Sequence, residues 1–184
     1  KVRRYDRNSG ALLATVAEGA AGGIVGGTFV ALIPNPALDE TPTVQLGGHT
    51  SGNWYNPDTS GIGFQIEATT AIDAASGLPV MLVYWFAYAP DGNTQSWIYG
   101  QGTYNPTSNT VTLPAAITSG ARFPPNFNHD DINAVAWGTL TFTFSDCNNG
   151  TASWNSTVPG YGSGSMAITR LTQIAGTTCP GAAP

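Results

Sequence analysis

Charged side chains are scarce in this chain of 184 residues, in which Asp, Glu, Lys and Arg together make up 9%. A typical soluble domain contains roughly 25%. The hydrophobic content of 41% nevertheless excludes the apolar-poor composition of a disordered chain. The polar surface must therefore come from Thr, Ser, Asn, Gln and Gly.

Long apolar runs and an excess of positive charge are also missing. No run approaches the ~20 residues that a membrane-spanning helix needs, so no membrane span is predicted. The formal net charge is −5 and the sequence pI is about 4.6. A nucleic acid partner is therefore not predicted, because polyanions select basic surfaces.

Complete catalytic motifs are absent from the sequence. The run Gly162-Ser163-Gly164-Ser165 does not match the G-x-S-x-G pattern of a serine hydrolase. The only compact titratable cluster, His129-Asp130-Asp131, lies in a loop rich in Pro and Asn, where polar residues are expected in any case. The chain is predicted not to be an enzyme, and the alternative is an enzyme that uses Glu67 or His129.

Only two cysteines are present, Cys147 and Cys179, and neither belongs to a C-x-x-C pair. With just two distant histidines, a zinc site is not favoured, and no metal or cofactor is predicted. A disulfide between the cysteines would contribute about 3–4 kcal/mol and would indicate an oxidising compartment. Two free buried cysteines are the alternative.

The basic residues that are present cluster at the N-terminus, where four of the six are Lys1, Arg3, Arg4 and Arg7. This basic tip is either a solvated terminus or an arm that docks on an acidic surface of a neighbouring subunit. Because the chain begins at Lys1 without a signal-type segment, we expect a processed or excised product.

Alternating apolar and polar residues, with turns at regular spacing, predict an all-β fold. Val80–Tyr88 is apolar on both faces and should be central. Trp137–Asp146 alternates Thr with Phe and Leu, so its Thr side faces solvent or, if the sheet closes, a polar lumen. Residues 114–135 are predicted to be irregular. Further strands are predicted at Val2–Asp6, Ala11–Ala17, Thr28–Ile33, Gly63–Ala68, Gln95–Gly100, Thr151–Thr157 and Ser165–Thr172, and Tyr104–Leu113 is predicted to form a turn and a short strand.

These elements predict an antiparallel barrel or sandwich of about seven or eight strands, preceded by a strand-forming arm. Residues 1–36 form the arm and residues 37–51, rich in Pro and Gly, a linker. Residues 52–179 form the barrel or sandwich, and residues 180–184 a frayed tail.

The body resembles a β-rich module found near the C-terminal ends of secreted gammaproteobacterial proteins. The similarity lies in GNWYNPDTSGIGFQIE (52–67), VYWFAYAPDGNTQSWIYGQG (83–102), WGTLTFTFSDCNNGTASW (137–154) and PGYGSGSMAITRLTQIAGTTC (159–179). The family has no settled activity. The resemblance implies a β-fold, export to the exterior or cell surface of a Gram-negative bacterium, and the Cys147–Cys179 bridge.

Residues 1–34 are similar to something else, the last repeat of an NHL-type β-propeller, through VRRYDRNSGALLATV and GGIVGGTFVALIP. A single blade cannot bury its own apolar faces, because such repeats are stable only among neighbours. The apolar strand Phe29–Ile33 within this range can therefore pack on the body of its own chain, stay disordered or pair with another subunit by strand addition.

Strand addition between copies is the predicted function, giving a secreted structural module that assembles into a filament or extracellular matrix. The partners are then copies of the chain itself. The assembly residues are Ile24, Phe29, Val30, Ala31, Leu32 and Ile33, helped by Arg3 and Arg4.

Carbohydrate binding is the alternative function, with a polysaccharide as the partner. Exposed aromatic rings can stack on sugar rings while Asn, Gln and Thr supply hydrogen bonds. The candidate residues are Trp54, Tyr55, Trp97 and Tyr161; Trp54 and Tyr161 are adjacent to turns and are expected to be the most exposed.

Overall fold

The computed structural model describes residues 2–6, 11–17 and 44–180. The chain divides into two compact units, Lys1–Asp39 and Glu40–Pro184. All ten strands among the described residues are antiparallel to their neighbours, which confirms the all-β prediction. No helix in these residues has the length and apolar character needed to cross a membrane.

The first unit contains a two-stranded hairpin of β1 (Val2–Tyr5) and β2 (Leu12–Ala17). A hydrogen bond from the amide of Asp6 to the carbonyl of Ala11, at 2.7 Å, continues the ladder toward the connection. The predicted assembly residues Arg3 and Arg4 lie on β1, whereas Ile24 and Phe29–Ile33 lie outside the described residues.

The second unit is a closed barrel of eight strands, which confirms the barrel alternative over the sandwich. Each strand pairs with its neighbour in the chain, and the last strand closes the ring by pairing with the first. The strands are β3 (Gly52–Tyr55), β4 (Gly63–Ile72), β5 (Pro79–Tyr88), β6 (Gln95–Thr103), β7 (Thr110–Ser119), β8 (Asn133–Phe144), β9 (Asn149–Ser156) and β10 (Ser163–Arg170).

Aromatic and aliphatic side chains fill the interior of the barrel. Trp54 and Phe144 meet edge to face with their ring centroids 4.9 Å apart, and Phe64 meets Phe142 in the same way at 5.2 Å. All four side chains are almost completely buried. Burial of such rings is the main favourable contribution to the stability of the fold.

The threonines of β7 and β8 lie on the outside, so the alternative of a polar lumen is wrong. Thr112 and Thr141 face each other across the two strands, with their hydroxyl oxygens 2.9 Å apart. Thr110 and Thr143 form a second such pair at 3.0 Å. Cross-strand hydroxyl pairs of this kind stabilise an exposed sheet face without charge.

Three strands differ from the sequence-based prediction. The four-residue β3 was not predicted. An irregular segment was expected at residues 114–135, but β7 runs on through Pro114 to Ser119 and β8 begins at Asn133. Proline has no amide hydrogen to donate to a ladder. The β6–β7 ladder accordingly stops at the pair Gly100–Ala115, next to the proline, while β7 stays fully paired with β8.

Residues 44–51 close one end of the barrel, although their composition predicted a linker. Val44 and Leu46 are buried in the core, and the amide of Leu46 donates to the carbonyl of Ser108 at 2.8 Å. The indole nitrogen of Trp54 donates to the carbonyl of Thr50 at 3.0 Å. The range assigned to a linker therefore contains a segment that packs on the core.

The ring closes along a short seam between β3 and β10, where two residue pairs are in register. Beyond them, the amide of Leu171 donates to the carbonyl of Asn53 at 2.7 Å, and the amide of Asn53 donates to the Thr172 hydroxyl at 3.0 Å. The predicted disulfide Cys147–Cys179 is confirmed and ties the segment after β10 to the β8–β9 turn.

Candidate functional site

Five aromatic side chains lie side by side on the outer face of β5 and β6. In the antiparallel register, Tyr84 is opposite Tyr99 and Phe86 is opposite Trp97. Tyr88 follows two residues later on the same face of β5, because side chains alternate along a strand. We call these five residues, Tyr84, Phe86, Tyr88, Trp97 and Tyr99, the aromatic strip.

Four rings of the aromatic strip contact one another, and large parts of the strip are open to solvent. Tyr84 stacks on Phe86 with centroids 6.3 Å apart and an interplanar angle of 19°, and it lies 5.1 Å from Tyr99. Phe86 meets Trp97 edge to face at 5.8 Å. Trp97 is 62% exposed and Tyr88 is 54% exposed, so large ring faces are available to a ligand.

The strip explains why the sequence of β5 is apolar on both faces. Met81, Val83 and Trp85 point into the barrel and are buried, while the residues between them point outward. A strand that is apolar on both faces was expected to be central. Both edges of β5 are paired, but Tyr84, Phe86 and Tyr88 on its outer face are exposed. Exposed apolar surface of this kind is typical of a binding site.

Amide side chains border the strip. Gln65 on β4 is opposite Tyr84, and Gln95 is opposite Tyr88. The hydroxyl of Tyr99 donates to the side-chain carbonyl of Gln101. Burial, followed by the neighbouring Tyr84, raises the pKa of Tyr99 above its ordinary value, so its hydroxyl stays protonated and can donate.

A polar cleft of about 420 Å³ adjoins the strip on the β4 side. It lies between β3, β4 and the segment that follows β10. Gln65 lines the cleft and is also the cross-strand neighbour of Tyr84, so the two surfaces are continuous. The cleft is lined by Gly48, Ser51, Gly52, Asn53, Gln65, Ile66, Glu67, Ala68, Ile174 and Thr177.

The four residues predicted from the sequence to bind carbohydrate differ in location and exposure. Trp54 is 1% exposed, so the expectation that it is on the surface is wrong. Tyr161 is held at the barrel end, where its hydroxyl lies 2.8 Å from the Ser96 hydroxyl and its ring meets Trp137 edge to face. Tyr55 is half-buried at the end of β3. Trp97 alone belongs to the aromatic strip.

Sequence reasoning missed the other four residues of the strip, although a signal for them exists. The hairpin turn at residues 90–93 fixes the β5–β6 register, and that register pairs Tyr84 with Tyr99. Tyr84, Phe86 and Tyr88 then share one face through the period of two. Which face is exposed could not be deduced, because it depends on closure of the barrel.

The catalytic alternatives receive no support from the geometry. The side chains of His129 and Asp130 are 86% and 91% exposed, and Nδ1 of His129 lies 3.8 Å from Oδ1 of Asp130, as in a solvated loop. Glu67 is exposed in the polar cleft and no second carboxylate lines that cleft. Among the residues that the structure describes, no group of three His, Cys, Asp or Glu side chains could hold a metal ion.

A second cavity, of about 550 Å³, lies beside the disulfide and contains Asp146, Asn149 and Arg170. A guanidinium nitrogen of Arg170 donates to the carbonyl of His49. Burial lowers the pKa of Arg170 and Asp146 partly restores it. The arginine is thus engaged in closing the barrel end.

Comparison of the chain with protein-family models, with curated proteins and with solved structures found no match. The protein is therefore described by its fold and surface, as a closed eight-stranded barrel with a filled interior and an aromatic outer strip.

Proposed function

We propose that this protein is a secreted, non-catalytic module that binds polysaccharide on the aromatic strip. The observation that carries the proposal is the exposure of Tyr84, Phe86, Tyr88 and Trp97 on adjacent strands of a rigid barrel. The apolar faces of sugar rings stack on aromatic rings, and bordering amides such as Gln65 supply hydrogen bonds to hydroxyl groups. The Cys147–Cys179 disulfide supports an oxidising compartment.

The rigidity of the strip also supports binding. Its five rings stand on two strands that pair along nine residue positions, from Val80–Thr103 to Tyr88–Gln95. Little conformational entropy is therefore lost when a ligand stacks on them, since the backbone that carries them is already ordered. A loop-borne set of aromatics would not have this advantage.

The test is retention on a panel of insoluble polysaccharides, followed by affinity electrophoresis with soluble forms of those that bind. We expect Trp97→Ala to weaken binding at least tenfold, because the stacking of sugar rings on an aromatic residue needs an intact ring face. Trp97→Phe should retain part of the affinity. The matched control is Phe123→Ala, which removes a ring that is 89% exposed in the β7–β8 loop.

Circular dichroism should show that both alanine variants fold as the parent does, since neither ring belongs to the core. Failure of the parent protein to bind any polysaccharide of the panel would overturn the proposal. So would equal losses from Trp97→Ala and Phe123→Ala.

Assembly through the N-terminal arm is the second candidate function. The barrel is closed by the pairing of β10 with β3, so none of its strands lies at the edge of the sheet. The β1–β2 sheet differs, because within the described residues neither of its strands has a second neighbour. An edge of this kind can accept another strand.

Assembly predicts large species in size-exclusion chromatography and in electron micrographs, and their loss on deletion of residues 1–36. The barrel carries its own core, so the deletion variant should fold. A monodisperse monomer that is unchanged by the deletion would contradict assembly through the arm.

A further inference from the structure

The polar cleft contains the carboxylate of Glu67. Glu67 points outward from β4 and lines the cleft with Gln65, Asn53 and Thr177. No described residue forms a hydrogen bond or ion pair with its carboxylate, and neither arginine of residues 44–180 lines the cleft. A carboxylate in this setting accepts hydrogen bonds from a ligand, and most strongly from a cationic donor.

The cleft and the aromatic strip form one surface across β4, β5 and β6. Glu67 is opposite Leu82, and Gln65 is opposite Tyr84, so the carboxylate lies one outward position along β4 from the first ring of the strip. An extended ligand that stacks on Tyr84 can therefore reach Glu67 by passing over Gln65. Adjacent outward positions on a strand are roughly 7 Å apart, within the span of one sugar unit and its substituents.

The charge of the barrel favours a cation at this surface. Residues 44–180 contain seven acidic residues and two basic ones, so their formal net charge is −5. One of the two, Arg170, is engaged at the barrel end. The faces of Tyr84 and Trp97 add the negative side of an aromatic quadrupole, which attracts ammonium groups. A field of this sign repels polysaccharides that carry carboxylate or sulfate groups.

We infer that the strip and the cleft together select a polysaccharide of amino sugars with free, protonated amines, one of which pairs with Glu67. This inference rests on the proposed carbohydrate-binding function and names the ligand class of that same site. The rings of the strip hold the sugar faces, Glu67 accepts from the ammonium group, and Gln65 meets a hydroxyl between them.

The test is isothermal titration calorimetry with three soluble oligosaccharides of equal length, made of glucosamine, of N-acetylglucosamine and of glucose. We expect the glucosamine oligomer to bind tightest and its affinity to fall with salt, because exposed charges are screened. Glu67→Gln should weaken binding of that oligomer about tenfold, as loss of one charge-assisted hydrogen bond implies, and leave the glucose oligomer unchanged. Glu67→Lys should weaken binding of the glucosamine oligomer more than Glu67→Gln does, because it places a positive charge beside the ammonium group.

The matched control is Asp58→Asn, which removes an exposed carboxylate that does not line the cleft. Its binding of all three oligomers should equal that of the parent protein. If Trp97→Ala abolishes binding of every oligomer while Glu67→Gln changes none, the amino-sugar inference is overturned and the carbohydrate-binding function stands. If no oligomer or polysaccharide binds at all, both fail. Tighter binding of the acetylated oligomer would also overturn the inference.

Discussion

The guanidinium group of Arg170 lies 5.0 Å from the ring centroid of Trp54, stacked over it at the seam where β10 meets β3. The two residues are also cross-strand partners in that ladder. A cation over the face of a tryptophan is held by the ring quadrupole. The arginine thus covers the largest aromatic ring at this end of the core and links it to the carbonyl of His49.

Arg170→Ala should lower the free energy of unfolding by about 1–3 kcal/mol, since it removes the cation–π contact and a hydrogen bond to a partly buried carbonyl. Urea denaturation followed by tryptophan fluorescence measures this loss. Arg122→Ala, in the exposed β7–β8 loop, is the control and should change stability by less than about 0.5 kcal/mol. Equal effects of the two substitutions would show that the seam does not depend on the arginine.

Gly138, the one glycine of β8, is predicted to tolerate no larger residue. It sits beside a bulge at which the β7–β8 register shifts and Trp137 turns into the core. Its φ is +142°, and an added Cβ would lie 2.0 Å from the carbonyl oxygen of Asn155. Gly138→Ala should therefore cost more than about 2 kcal/mol, because both the backbone conformation and the partner strand resist it.

The measurement for Gly138→Ala is the midpoint of chemical denaturation, with Gly48→Ala as the control. A Cβ on Gly48 meets no atom within 4 Å, and its φ is not positive. Parent-like stability of Gly138→Ala would mean that the bulge can relax without cost.

The β8–β9 turn should make stability depend on acid pH. Burial raises the pKa of Asp146, but hydrogen bonds from Asn148 and Asn149 and the charge of Arg170 outweigh it, so the pKa lies below its ordinary value. A carboxylate of this kind stabilises the fold above its unfolded pKa of about 3.9, and the contribution is lost as pH falls through the lower folded pKa. Asp146→Asn should thus be less stable than the parent near neutral pH, and the difference should shrink as pH falls below about 4 and disappear below the folded pKa.

Thermal unfolding of both proteins across this pH range measures the difference. The control is Asp58→Asn, because the Asp58 carboxylate accepts no hydrogen bond within the described residues. A gap between parent and Asp146→Asn that persists in acid would show that the substitution acts through packing and not through charge.

Local sequence patterns predicted much of the barrel because they report local physics. Alternation identified β4 and β8, and a run that is apolar on both faces identified β5. The turns at 90–93 and 148–150 mark the two hairpins, since a turn and its flanking strands are set by nearby residues. The strand β3 escaped prediction because four residues, two of them Gly and Asn, carry too short a pattern to detect.

Closure of the sheet could not be predicted, and the site depends on it. Whether Trp54 or Trp97 is exposed is decided by which face of each strand turns inward, and that is settled by pairing between strands more than a hundred residues apart. In a sandwich, the outward face of β5 could have been the buried one. The aromatic strip is therefore a property of the closed ring and not of the β5–β6 hairpin alone.

The short seam also bears on the order in which the molecule forms. Seven of the eight barrel ladders join strands that are neighbours in the chain, so they can form as hairpins while synthesis proceeds. The eighth must wait for β10, and until then β3 keeps one unpaired edge and the aromatic core stays open to water. Gly52 lets the C-terminal segment lie close against β3, because a Cβ at this position would be only 2.1 Å from the Thr172 carbonyl oxygen. The Cys147–Cys179 bond then makes this last step of closure hard to reverse.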